Sequence, residues 1–226
     1  MNESIHDFLK YQAQTSRHPL AMDVSYAEGV YVHDTSGKKY LDFVAGVSAV
    51  SVGHKNQRVN NAVKAQLDKY SHVMVYGEYA QHPAVAYCKK LAELMPGNLN
   101  KTYLLNSGTE ATEGALKLAR RVTGRSHLVS CHNAYHGNTM GSMSVMGYEP
   151  RKQAFRPLVP DVDFITFNNE EDLQRITHKT AGVILESIQG GAGFIQPEKD
   201  FLKKVRQRCD ETGALMILDE IQPGFG

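Results

Sequence analysis

The stretch "AGVILESIQGGAGFIQPEKDFLKKVRQRCDETGALMILDE", Ala181 to Glu220, decides the fold. It opens on a continuous apolar run closed by Glu186 and ends on a second run, LMIL, closed by Asp219. Short unbroken apolar runs of this kind read as strands buried on both faces. Between them, residues 198–212 set Phe201, Val205 and Cys209 at helical spacing, which predicts an amphipathic helix. The same alternation runs upstream. TYLL (102–105), HLVSC (127–131) and DFITF (163–167) read as strands, residues 109–123 as a helix, and residues near 170–176 as a short helix. Together they predict an α/β domain with a mainly parallel sheet flanked by helices. Such sheets gather ligands at the C-terminal ends of their strands. The residues to inspect are therefore Asn106 to Glu110, His132 to Asn138, Glu186 to Gly193 and Asp219 to Gln222.

Towards the N-terminus the pattern changes. GVYVHDTSGKKYLDF (Gly29 to Phe43) reads as two short strands about a TSGK turn. Residues 57–70 and 83–95 read as helices, the second with Pro83 in its first turn and Val85, Cys88, Leu91, Ala92 and Met95 along one face.

Composition narrows the function classes. The 226 residues are 42% hydrophobic, enough to bury a core. Lys plus Arg is 25 against 24 for Asp plus Glu, so there is no footprint for nucleic acid or an anionic membrane. No run approaches the roughly 20 apolar residues of a membrane span. MNESIHDFLK lacks the apolar core of a signal peptide. Cys88, Cys131 and Cys209 form no CxxC pair and read as reduced thiols of a cytoplasmic protein, with Cys209 a small buried hydrophobe.

Four stretches carry candidate chemistry. In NSGTEATEGALKLAR (Asn106 to Arg120) a strand, a polar turn and a helix offer free N–H groups and the positive end of a dipole to an anion. Ser107 with Glu110 is equally an ordinary capping box. In HNAYHGNT (His132 to Thr139), Tyr135 can stack on a flat ring or simply pack. His132 and His136 lack the HExxH pattern or cysteine cluster of a metal site. In ESIQGGAGF (Glu186 to Phe194) a carboxylate and three glycines read as backbone close to a ligand, or as a flexible loop. Asp219, at the end of a buried strand, needs a partner. It is either a cap or buried hydrogen bond, or the anion that keeps a pyridine nitrogen protonated. LMILDE also resembles the magnesium-binding strand of an ATPase, but no GK[ST] P-loop accompanies it, and no GxGxxG follows a strand.

The order and content of these pieces resemble the class III pyridoxal-phosphate aminotransferases, among them the acetylornithine, ornithine and 4-aminobutyrate enzymes. The resemblance runs from GVYVHDTSGKKYLDF through VGH, NSGTEATEGALKLAR, YHGNT and ESIQGGAGF to DEIQPGFG. It implies a fold type I transferase, a cytoplasmic homodimer, with pyridoxal 5'-phosphate as cofactor. It assigns residues 1–54 to an N-terminal segment and part of a small domain, and residues 55–226 to an incomplete large domain. Ser107, Gly108 and Thr109 would hold the cofactor phosphate. Tyr135 would stack on its ring, Ile221 would pack on the other face, Asp219 would pair with its nitrogen and Gln222 would bond its hydroxyl. Glu186 matches the glutamate that opens the family's EP(V/I)QGE loop. The implied reaction moves nitrogen from an amino acid or ω-amine to a 2-oxo acid such as 2-oxoglutarate.

Three positions depart from the pattern. Asn138 stands where HGRT places a carboxylate-clamping arginine, Gly191 where QGE places its glutamate, and Ser187 where EP places its proline. The family's Schiff-base lysine lies downstream of DE(I/V)Q. The expectation is therefore that this chain is the N-terminal part of a longer enzyme and lacks that lysine. Alternatives are a non-catalytic cofactor-binding or dimerising piece, or an aminomutase or decarboxylase on the same fold.

Overall fold

The computed structural model describes residues 3–225. The chain divides into two compact units, Met1–Ala86 and Tyr87–Gly226.

In the first unit, α1 (Glu3–Tyr11) precedes an antiparallel sheet of β1 (Val24–Glu28), β2 (Tyr31–Asp34) and β3 (Lys39–Leu41) in that order. β2 and β3 are the two expected strands, and β1 was not foreseen. Asp34 closes their turn by accepting the backbone N–H groups of Ser36 and Lys38, both at 2.9 Å. These bonds, with those from the Ser36 and Tyr40 hydroxyls, hold its carboxyl down at about 2. A distorted turn, α2 (Ala45–Ser48), and α3 (Gln57–Leu67) follow. Asn56 caps α3 by accepting from Arg58 N and Val59 N, which fixes its start where the sequence predicts it. The division between the units falls within α4 (His82–Leu94).

The second unit is the α/β domain. α5 (Gly108–Thr123), β4 (His127–Cys131), the short helices α6 (Met140–Ser144) and α7 (Glu149–Lys152), β5 (Val162–Ile165), β6 (Thr180–Glu186), α8 (Phe201–Thr212) and β7 (Leu215–Asp219) follow one another. The four strands are parallel in the order β5-β4-β6-β7. The strand expected at TYLL (102–105) does not form. Its backbone lies beside no other strand among the described residues, and a strand exists only through such pairing. Tyr103 and Leu105 lie along α5 near Gly114, with Tyr103 79% exposed.

Side-chain alternation sends the strands' apolar residues to both faces. Val129, Cys131, Val183 and Leu185 pack with Phe201, Val205 and Cys209 of α8, while Leu128 and Ile184 pack with Leu116 of α5. All seven residues of β6 are buried, which makes it the spine of the sheet. Each fully buried aliphatic side chain contributes about 2 kcal/mol. Arg125 ties the opposite, N-terminal end, donating through Nη1 to the carbonyls of Thr180 (2.9 Å) and Thr212 (3.0 Å). The parallel register brings Glu186 opposite Asp219, so both carboxylates emerge at one end of the sheet. Among the described residues no helix is long and apolar enough to cross a membrane.

Candidate active site at the C-terminal end of the sheet

Four loops meet at this end. The first is the start of α5. Ser107 caps it, its hydroxyl accepting from Glu110 N, and Glu110 Oε2 returns a bond to Asn106 N at 2.9 Å. Ser107 thus caps the helix as the capping reading expects, but Glu110 reaches Asn106 N and not the Ser107 N–H of a capping box. The cap leaves the N–H groups of Gly108 and Thr109 without an acceptor among the described residues, at the positive end of a 16-residue helix.

The second loop runs from β4 into α6. The Thr109 hydroxyl lies 2.8 Å from that of Thr139 and 2.7 Å from that of Ser142. Glu113, one turn along α5, accepts from the Thr139 hydroxyl at 2.5 Å, Gly141 N at 2.9 Å and Ser142 N at 3.0 Å. One carboxylate thus caps α6 and locks the two loops together. Within the second loop Tyr135 is 38% exposed, and His136 is buried. Asn138 is exposed at the rim, its side chain without a hydrogen-bond partner among the described residues.

The third loop follows β6. Glu186 is buried and accepts from Tyr135 N at 3.3 Å and Gly190 N at 3.1 Å. Burial pushes its carboxyl above the ordinary range, against the opposing pull of these two N–H groups and His136. Gln189 is also buried and donates to the His132 carbonyl at 3.0 Å, while Gln189 and Ile195 pair through their backbones. ESIQGGAGF is thus a pinned loop.

The fourth follows β7. Asp219 accepts from Ile221 N through Oδ1 at 3.0 Å, and its Oδ2 lies 2.7 Å from His136 Nδ1. A carboxylate can only accept, so His136 Nδ1 carries the proton. His136 Nε2 is buried and has no partner among the described residues. Ile221 and Gln222 close the ring of loops. A Cβ on Gly108 would stand 2.8 Å from Ile221 Cδ1, and one on Gly190 would overlap the Gln222 amide. Glycine at both positions is what lets the loops approach.

Ser107, Gly108, Thr109, Tyr135, Glu186, Asp219, Ile221 and Gln222 are therefore brought to one end of the sheet, with Asn138 at its edge. His136 was not singled out as Asp219's partner in the sequence. The signal was present: a buried strand-end carboxylate needs a donor, and His136 follows the candidate stacking tyrosine. The donor set suits a ligand with an anionic group, a flat ring and a basic ring nitrogen. It offers free N–H groups at a helix start, a half-exposed aromatic ring and a buried carboxylate held from two sides. The orphaned Nε2 marks a place where buried polarity is retained at a cost of about 1–3 kcal/mol.

An α/β domain with this constellation defines a class of cofactor-binding transferase. The chain matches the family model for aminotransferase class III over residues 11–226 and belongs to that family, which is pyridoxal-phosphate-dependent. It is 42% identical over 204 residues to acetylornithine aminotransferase of Archaeoglobus fulgidus, covering 90% of this chain and 53% of that protein. It is 41% identical over 199 residues to the [LysW]-aminoadipate semialdehyde/glutamate semialdehyde transaminase of Sulfolobus acidocaldarius, covering 88% and 51%. Among solved structures, adenosylmethionine-8-amino-7-oxononanoate aminotransferase from Methanocaldococcus jannaschii superposes with a TM-score of 0.91 at 30% identity, over 99% of this chain and 56% of that one. Ornithine aminotransferase from Toxoplasma gondii gives 0.88 at 28%, over 98% and 53%. The chain spans about half the length of the curated relatives it matches.

Proposed function

We propose that this chain is the N-terminal part of a pyridoxal-phosphate-dependent aminotransferase. The reaction moves an amino group from an amino acid or ω-amine, of the acetylornithine, ornithine or 4-aminobutyrate type, to a 2-oxo acid such as 2-oxoglutarate. The observation that carries this reading is the buried His136–Asp219 pair at 2.7 Å, set at the sheet end beside an open helix N-terminus.

Bound pyridoxal phosphate supplies a carbonyl that takes the amino nitrogen and a ring that draws off electrons. The N–H groups of Gly108 and Thr109 would hold its phosphate, joined by the Ser107 and Thr109 hydroxyls once these turn from Glu110 and from Thr139 and Ser142. Tyr135 and Ile221 enclose the ring. Asp219 would face the ring nitrogen and hold a proton there, and His136 Nδ1, 2.7 Å from Asp219 Oδ2, fixes the carboxylate in position. Gln222 orients the ring hydroxyl, and Glu186 fixes the Tyr135 backbone. The lysine that carries the cofactor covalently and relays protons lies in sequence outside these residues. Among the described residues the buried lysine is Lys152, whose Nζ sits 4.2 Å from the Phe164 ring centroid and 3.7 Å from Glu149 Oε2. The whole enzyme works as a homodimer.

The test is intact mass and peptide mapping of the full-length protein after incubation with pyridoxal phosphate and borohydride. One cofactor per chain, on a lysine outside residues 1–226, supports the proposal. One cofactor on Lys152, or none, contradicts it.

A further inference from the structure

Beside Tyr135 lies a half-open cavity of about 420 Å³ that the cofactor assignment leaves unused. Its lining includes Asn133, Met146, Tyr148, Arg151 and Gly191. The Arg151 guanidinium stands 5.8 Å from the Tyr135 ring centroid and 5.9 Å from that of Tyr148. Two aromatic rings thus flank a cation at the wall of a cavity that shares Tyr135 and Gly191 with the site's loops.

The charge is unspent. Glu149, two residues away, is taken up by Arg156, whose Nε and Nη2 donate to Oε1 at 2.9 and 2.6 Å, with Lys152 3.7 Å from Oε2. Glu186 is committed to Tyr135 N and Gly190 N. Arg151 has no carboxylate partner among the described residues. Gly191 keeps the cavity open. A Cβ there would touch Tyr135 Cβ at 3.4 Å, ordinary contact, so a longer side chain at 191 would extend beside the tyrosine toward the cavity.

We infer that Arg151, framed by Tyr135 and Tyr148 and given room by Gly191, is a specificity-determining residue that binds a carboxylate of the substrate. This rests on the aminotransferase reading for its role in catalysis, and the ligand class is a short dicarboxylic amino donor or acceptor. The planar fork suits bidentate pairing, and the aromatic walls lower the local dielectric.

Glutarate binding to the full-length, pyridoxal-phosphate-loaded protein, measured by calorimetry, tests the inference alongside transamination kinetics. Arg151→Met should weaken glutarate binding and raise KM for the dicarboxylate roughly tenfold, with kcat changed far less. Arg151→Lys should recover part of the loss. Gly191→Glu should mimic it by pairing with Arg151, and binding of uncharged glutaramide should not respond to any of the three. Unchanged glutarate affinity in Arg151→Met, with transamination intact, overturns the subsite alone. Arg151-dependent glutarate binding in a protein that transfers no amino group overturns the aminotransferase reading and leaves the subsite standing.

Discussion

Replacing His136 probes the link between fold and site most sharply. Its Nδ1–H is the side-chain donor to Asp219 Oδ2, and both residues are buried, Asp219 at 8% exposure. His136→Phe keeps the ring's bulk and removes the donor. A charge-assisted hydrogen bond is worth about 1.5–3 kcal/mol, and stranding a buried charge costs about 3–5 kcal/mol. A loss near 3 kcal/mol follows. His136→Asn places an amide N–H near the old Nδ1 position and also discards the unpartnered Nε2. Its cost is mainly the lost ring volume, about 1 kcal/mol. The shift per kcal/mol is about 2–4 °C for domains of 150–250 residues and smaller for a longer chain, so the cofactor-free full-length protein should melt lower with both variants, about three times further with Phe than with Asn. Circular dichroism melts read this directly. A double-mutant cycle with Asp219→Asn should return a coupling of about 1.5–3 kcal/mol. Equal melting temperatures for the Phe and Asn variants, or no coupling, would refute the claim that His136 serves Asp219.

Further outcomes are expected at other positions. Burial pushes the Cys131 thiol up to about 12 and the Cys209 thiol up to about 11, and both are fully buried, whereas Cys88 is partly exposed. Titration of the native chain with an aromatic disulfide should find one fast thiol among its three, lost in Cys88→Ser. Glu186's carboxyl is raised in the fold, so its contribution to stability is full below the unfolded value and is lost as pH rises through the folded value. The stability of the native protein relative to Glu186→Gln should therefore increase as pH falls from about 7 to about 4, as read by urea denaturation. A Cβ on Gly147 would overlap the Cys131 backbone carbonyl, where nothing flexible can yield. Gly147→Ala should cost about 3 kcal/mol or more and show as lost soluble expression.

Periodicity located most of the second unit. α8 and β7 were legible because Phe201, Val205 and Cys209 repeat at helical spacing beside an unbroken apolar run. The α5 N-terminus was legible because Ser107 is a local N-cap, its hydroxyl accepting from Glu110 N three residues on. TYLL misled because its composition favours a strand but no neighbour pairs with it among the described residues, and pairing is not a local property. The short helices α6 and α7 were missed because each is about one turn long, Met140–Ser144 and Glu149–Lys152, too short to show a helical repeat. At the site, Asp219, Glu186 and Tyr135 were legible from strand ends and motif order. His136 was not, since its meaning depends on Asp219, 83 residues away. Arg151 was invisible for the same reason: Tyr148 is three residues away, but Tyr135 and Gly191 line the same cavity only in three dimensions.

The central claim is that the end of the sheet around Asp219 holds pyridoxal phosphate. Its most direct test is cofactor retention by the full-length protein, native against Asp219→Ala, measured by visible absorbance after exhaustive dialysis. The account predicts close to one cofactor per native chain and a loss of at least about tenfold in affinity in the variant, the effect of removing one charge-assisted partner. Equal retention by both proteins would contradict it.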